Sequence, residues 1–268
     1  MRPSGGMEGF IMKIIRSMVL AFSMFSRIPV PRVQWNEENM KYSLCFFPLI
    51  GVVIGALELL ALRVCTALNT GAFFQGAVLC AVPVLVTGGI HMDGFCDTTD
   101  ALSSRQSRER KLEILKDSHT GAFAVICTAL YFLLYAGALS EVDSMRRAGL
   151  LAAGFVLSRS LSGLALVLFK SARKDGTLHA FSSAAHKRTV FCVLLGYILV
   201  SFGGLFYFAP LTGLLALLAG GAVFGCYGVV AYRQFGGITG DLAGWFLQCF
   251  ELVFALTVVL GGRWGALL

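Results

Sequence analysis

Residues 91–121 read HMDGFCDTTDALSSRQSRERKLEILKDSHTG and stand between two long apolar runs. Asp93, Asp97, Asp100, Glu109, Glu113 and Asp117 all fall inside this stretch. Asp93, Asp97 and Asp100 are spaced i, i+4 and i+7, so on a helix their carboxylates share one face. Like charges stacked this way repel each other and give the helix nothing. A positive partner among them would relieve that repulsion. Carboxylate oxygens suit a hard divalent cation, and Mg²⁺ commonly joins such groups to phosphate. The plainer alternative is a solvated acidic turn at a membrane surface.

The surroundings of this stretch are those of a membrane protein. The chain has 268 residues, 57% of them hydrophobic and only 14% charged, with a mean hydropathy of +0.77. A soluble domain carries about 25% charged residues. Seven apolar runs approach the roughly 20 residues that a bilayer requires: about 44–66, 71–90, 122–140, 148–169, 190–208, 211–231 and 242–261. Residues 8–26 mix an apolar face with Lys13 and Arg16, which predicts an interfacial or re-entrant helix. Pro29 and Pro31 then mark a loop. The fold expected is an all-α polytopic bundle of about seven transmembrane helices plus that N-terminal helix. Gly51 and Gly55, and Gly220, Gly221 and Gly225, would let helices approach closely. The eight cysteines are scattered without a C-x-x-C pair, which speaks against a zinc site or a disulfide frame. No cleavable signal peptide is predicted, and no internal repeat is visible.

With seven spans, seventeen of the lysines and arginines fall on one side of the membrane and only four, Arg63, Arg146, Arg147 and Arg263, on the other. The positive-inside rule makes the rich side cytoplasmic. The net charge of +7 therefore bears on topology and anionic lipid, not on nucleic acid. All four histidines, and the candidate site carboxylates other than Glu251, fall on or beside that face.

Three further elements join the acidic face there. Residues 116–121 (KDSHTG) offer Asp117, Ser118 and His119 for a metal or a phosphate, or else Asp117 or Ser118 simply caps the following helix. Residues 236–241 (GGITGD) form a Gly-rich turn that could approach an anion, ending in Asp241, which could also be only a cap. Residues 170–181 supply Lys170, Arg173, Lys174 and His179, either to pair a diphosphate or to anchor topology. Within the membrane lies Arg159, with Glu251 and Glu58 as partners if its role is a buried ion pair rather than substrate contact. Residues 103–116 predict a short surface helix, capped by Ser103 or Ser104, with Leu112 and Leu115 toward the bilayer.

The run 88–101 (GGIHMDGFCDTTDA), followed by 108–123 (RERKLEILKDSHTGAF), resembles the cobalamin synthase family, formally adenosylcobinamide-GDP ribazoletransferase. Residues 25–31 (FSRIPVP), 47–55 (FPLIGVVIG), 158–160 (SRS) and 236–241 match in the family's order, with 170–177 a looser match. The chain departs from the family pattern at Ala101, at His119 and across 175–179. The resemblance implies one membrane-embedded transferase domain over 1–268, in the bacterial cytoplasmic (inner) membrane with its active site on the cytoplasmic side. It implies that a ribose hydroxyl of α-ribazole, or of α-ribazole 5′-phosphate, attacks the phosphorus next to cobinamide in adenosylcobinamide-GDP, releasing GMP. On that reading Asp93, Asp97, Asp100 and Asp117 hold Mg²⁺ and carry catalysis, with Asp100 or Asp117 as general base. Substrate contacts fall to Arg159, Arg173, Lys174, Ser118, His119, Gly236, Gly237, Thr239, Gly240 and Asp241. The oligomeric state stays open, a homo-oligomer included. Two rivals stand beside this reading. One is a CDP-alcohol phosphatidyltransferase, whose D-x-x-D-G-x-x-A-R motif differs in spacing from the D-G-x-x-D-x-x-D here. The other is a secondary transporter, which would show paired repeats and midplane charges in both halves.

Overall fold

A computed structural model describes residues 5–117, 119–173 and 176–264. Twelve α-helices are found among them: α1 (Gly5–Phe25), α2 (Glu37–Met40), α3 (Phe47–Ala67), α4 (Ala72–Thr87), α5 (Ile90–Ser103), α6 (Arg108–Ile114), α7 (Ala122–Ser140), α8 (Met145–Leu168), α9 (Thr177–Ala184), α10 (Lys187–Phe208), α11 (Pro210–Val230) and α12 (Gly240–Trp264). No strand occurs among the described residues, only one isolated parallel bridge between Ser171 and Ile238. Six stretches are long and apolar enough to cross a membrane: Glu37–Ala67, α7, α8, α10, Pro210–Phe235 and Gly240–Gly261. α4 and α5 pass that test only as a pair, and they meet at an angle of 94°. The all-α polytopic bundle of about seven spans expected from hydropathy is therefore borne out, with six candidate spans among the described residues, or seven if the bent pair is one.

The sharp bend is the feature that hydropathy does not disclose. Gly88 and Gly89 both take left-handed backbone angles, φ 66° and 79°, which residues bearing a Cβ adopt only with strain. The Gly89 N–H closes the end of α4 on the Val84 carbonyl, 3.1 Å away. The Arg27 side chain lies across Gly88, and the Arg27 N–H donates to Val86 O at 2.8 Å. The second apolar run thus stops at Thr87, and the acidic helix leaves almost at a right angle to it.

α8 and α12 form the centre. Of their most apolar windows, 67% is buried within the protein, against 28%, 17% and 22% for α7, α10 and α11, whose remaining faces are apolar. Gly51 on α3 allows the closest approach to α8: a Cβ there would stand 2.4 Å from Phe155 O. Gly220 likewise fits under Phe250, whereas Gly221 and Gly225 face open space, so only part of the expected Gly pattern is used for packing. α1 is not among the spanning helices. It buries Ser17, Leu20 and Ala21 and exposes Ile11, Met12 and Ile15, as an interfacial helix would.

The surface helix forms over a narrower range than its sequence suggests. Its cap is Ser107, whose hydroxyl accepts from the Arg110 N–H at 3.4 Å, not Ser103 or Ser104. Leu115 packs into the core instead of facing outward, because α6 lies against the 231–235 turn, where Lys111 reaches Gln234.

Candidate active site

The acidic face is assembled by contact between α5 and the first turns of α12. A Cβ on Gly94 would fall 2.6 Å from Asp241 O, and one on Gly244 would fall 2.8 Å from His91 O. The two backbones touch, and this brings α5's carboxylates beside Asp241. Thr239 caps α12, its hydroxyl accepting from the Leu242 N–H at 3.2 Å. Asp93, Asp100, Asp117 and Asp241 all lie within electrostatic reach of Asp97. Five carboxylates from three segments therefore surround one region.

Their partners differ. Asp100 accepts from the Gly121 N–H at 2.5 Å and from the Ala124 N–H at 2.9 Å, so it caps α7. The sequence suggested Asp117 or Ser118 for that task. Because α7 begins only at Ala122, Gly121 is its N-cap residue, and a carboxylate from another helix reaches in. A Cβ at Gly121 would stand 2.8 Å from that carboxylate. Asp117 instead forms a local turn, accepting from the His119 N–H at 3.0 Å and meeting His119 Nδ1 at 2.7 Å. These two contacts, the ring first, hold the Asp117 carboxyl below its ordinary range. Among the described residues, Asp93, Asp97, Asp100 and Asp241 take part in no salt bridge. Asp241 is in electrostatic reach of Arg173 and is hydrogen-bonded by its own backbone and by the Thr239 side chain.

An uncompensated group of carboxylates is a donor set for a hard cation, with oxygen ligands only. In the arrangement described, no three His, Cys, Asp or Glu side chains among the described residues stand close enough together to share one ion.

Two cavities flank the carboxylates. The first, about 220 Å³, is walled by Phe25, Phe47 and Phe181 with His91, and Asp93 and Asp241 also line it. The second, about 190 Å³, is lined by Arg173, His179, Thr239, Gly240 and Asp241. They share Thr177, Leu178, Gly240 and Asp241. Asp241 therefore faces both.

The Gly-rich turn is placed here, but its first amides are already used. The N–H groups of Gly236 and Gly237 donate to Tyr232 O and Ala231 O, and Ile238 exchanges bonds of 2.8 and 2.9 Å with Lys170 and Ala172. The turn is thus tied to the 170–172 segment. Thr239 and Gly240, not Gly236 and Gly237, are the part that lines a cavity. Arg108 lies over Gly236, and Arg173 donates to Leu112 O. Ser118 and Lys174 lie outside the described residues.

Arg159 is placed apart from these cavities, 1% exposed, with Nη1 2.7 Å from Glu251 Oε1 and 3.1 Å from both Phe155 O and Ser158 Oγ. Ser158 Oγ also donates to Glu251 at 2.9 Å. The ion-pair reading, with Glu251 as partner, is the one the geometry favours. Glu58 is also buried nearby, in electrostatic reach of Glu251.

Sequence reasoning passed over His91 and the aromatic wall. His91 is 6% exposed, and its Nε2 has no hydrogen-bond partner. Its place two residues before Asp93 was a signal. Phe25 and Phe181, more than 150 residues apart along the chain, gave none.

The family model for cobalamin-5-phosphate synthases matches residues 17–259. A Lachnoclostridium phytofermentans protein named adenosylcobinamide-GDP ribazoletransferase is 47% identical over 249 residues, covering 93% of this chain and 95% of that protein. Proteins of the same name from Clostridium perfringens and Listeria monocytogenes are 33% and 31% identical, covering 90% and 94% of this chain and 96% and 99% of their own lengths. No solved structure gives a significant match.

Proposed function

The chain belongs to the cobalamin-5-phosphate synthase family, and on that premise we propose that it joins adenosylcobinamide-GDP to α-ribazole or α-ribazole 5′-phosphate. A ribose hydroxyl oxygen forms the new bond to the phosphorus next to cobinamide. The bond from that phosphorus to GMP breaks, and GMP leaves with the electron pair. The single observation that carries this reading is the group of carboxylates without salt bridges, Asp93, Asp97, Asp100 and Asp241, of which Asp93 lines the first cavity and Asp241 lines both.

Asp93, Asp97, Asp100 and Asp117 are the residues that would hold Mg²⁺, with Asp241 beside them, their side chains drawing closer around the ion than in the arrangement described above. Bound there, a divalent cation would supply charge neutralisation at the diphosphate. Arg173 stands in the second cavity and can pair a phosphate oxygen. Asp100 accepts a backbone N–H on each of its oxygens, whereas both His119 contacts fall on Asp117 Oδ1, so of the two candidate bases Asp117 keeps an oxygen, Oδ2, for the hydroxyl proton. His119, hydrogen-bonded to it, orients that carboxylate. Arg159 serves at a distance, pinning α8 to α12. The excess of lysine and arginine on one side of the membrane supports an active site on its cytoplasmic face, in a bacterial inner membrane.

The test uses the full chain in nanodiscs with adenosylcobinamide-GDP, α-ribazole and Mg²⁺, following GMP and the corrinoid product by mass spectrometry. Product is expected with the wild type and lost with EDTA or in Asp93→Asn. Folded wild-type protein that forms no product would overturn the proposal.

A further inference from the structure

We infer that the 220 Å³ cavity between α1, α3, α5, α9 and α12 is the subsite for the flat aromatic base of the acceptor nucleoside, with His91 as its hydrogen-bonding partner. This deepens the transfer reaction proposed above and rests on it.

Size is the first reason. The cavity admits one bicyclic base and is far too small for a corrin ring. Wall chemistry is the second. The rings of Phe25 and Phe47 lie 4.3 Å apart, and those of Phe25 and Phe181 lie 5.9 Å apart, giving a continuous aromatic surface. Aromatic walls hold a planar base by stacking.

The third reason is a polar atom with nothing to bind. His91 Nε2 is buried without a partner, a rare state for such an atom in a folded protein. Its ring lies 6.0 Å from that of Phe47. A benzimidazole offers one free ring nitrogen as acceptor, which matches one imidazole N–H. The guanine of the donor carries several donors and acceptors on its edge. Apart from His91, the two carboxylates and the Ser162 and Thr177 hydroxyls the lining is apolar, so a guanine edge turned to the Phe25, Phe47 and Phe181 wall would leave most of those donors and acceptors unpaired, at a cost that disfavours the fit.

The fourth reason is direction. Asp93 and Asp241 line the same cavity. A nucleoside with its base against Phe25, Phe47 and Phe181 has its sugar toward those carboxylates, where its hydroxyl must react. Met24, part-exposed on α1, lines this cavity and not the second, and offers a place to fill the space.

The experiment uses the full chain in nanodiscs. Benzimidazole and α-ribazole are titrated without donor or added metal, by saturation-transfer NMR, and benzimidazole is then tested as an inhibitor of transfer. Both should bind, and benzimidazole should compete with α-ribazole but not with adenosylcobinamide-GDP. Met24→Trp should raise KM for α-ribazole by about tenfold or more while leaving that for the donor unchanged. His91→Phe should weaken α-ribazole binding by about tenfold, partly restored in His91→Gln. Benzimidazole that fails to bind the wild type, or that competes with the donor, overturns the inference while transfer itself stands. A wild type that binds benzimidazole but transfers nothing refutes the reaction, not the cavity's taste for a flat base. Should the variants fail to fold, the wild-type competition decides alone.

Discussion

Replacing Arg159 by Met should destabilise the protein without touching the reacting groups. The guanidinium is 1% exposed and Glu251 only 4%. Its Nη1 makes three hydrogen bonds, one of them the 2.7 Å contact to Glu251. Removing it leaves the carboxylate with the Ser158 hydroxyl alone among these partners, and Glu58 stands within electrostatic reach of it. Breaking one side of such a buried pair costs roughly 3–5 kcal/mol. The pair as a whole is worth far less, since desolvation of two ions offsets most of their attraction, so Arg159→Met with Glu251→Leu should return to within about 2 kcal/mol of the wild type. Denaturant unfolding in mixed micelles measures stability, and GMP release measures activity. The single variant should be unstable, and the double variant should recover both stability and transfer. A double variant that is stable yet inactive would refute the ion-pair reading and return Arg159 to the substrate.

Gly94→Ala places a methyl 2.6 Å from Asp241 O, so α5 and α12 must part; the strain should cost about 1–3 kcal/mol, and the transfer rate should fall further than stability alone explains. Asp100→Ala strips the cap from α7 and should lower stability by about 0.5–2 kcal/mol, seen as faster amide exchange at Gly121 and Ala124. The Asp117 turn depends on an ionised carboxylate whose folded value is depressed by His119. Its stabilisation is therefore present above the unfolded value of 3.8 and is lost as pH falls through the lower folded value. Exchange protection of the His119 amide should follow that course, and His119→Ala should move the loss to higher pH. Protection that does not change in acid would show that the turn is held by something else.

Much of this protein is legible in its sequence because the bilayer is a simple solvent. Apolar length alone places the spans, since every backbone group in lipid must be satisfied within a helix, and the carboxylate spacing alone puts Asp93, Asp97 and Asp100 on one face. The motif's resemblance to a family supplied the chemistry, and the comparisons bear out the family. What the sequence could not show is which polar group meets which. Asp100 caps a helix that starts 22 residues later, Arg159 is bound to a glutamate 92 residues away, and the Gly236 and Gly237 amides are already bonded within the chain. Those pairings follow from how α5, α8 and α12 pack, and above all from the bend at Gly88–Gly89. A local pattern determines which face a residue occupies; only packing of distant segments decides what that face encounters. The aromatic cavity is the clearest case, because its walls come from α1, α3 and α9, and no window along the chain contains them together.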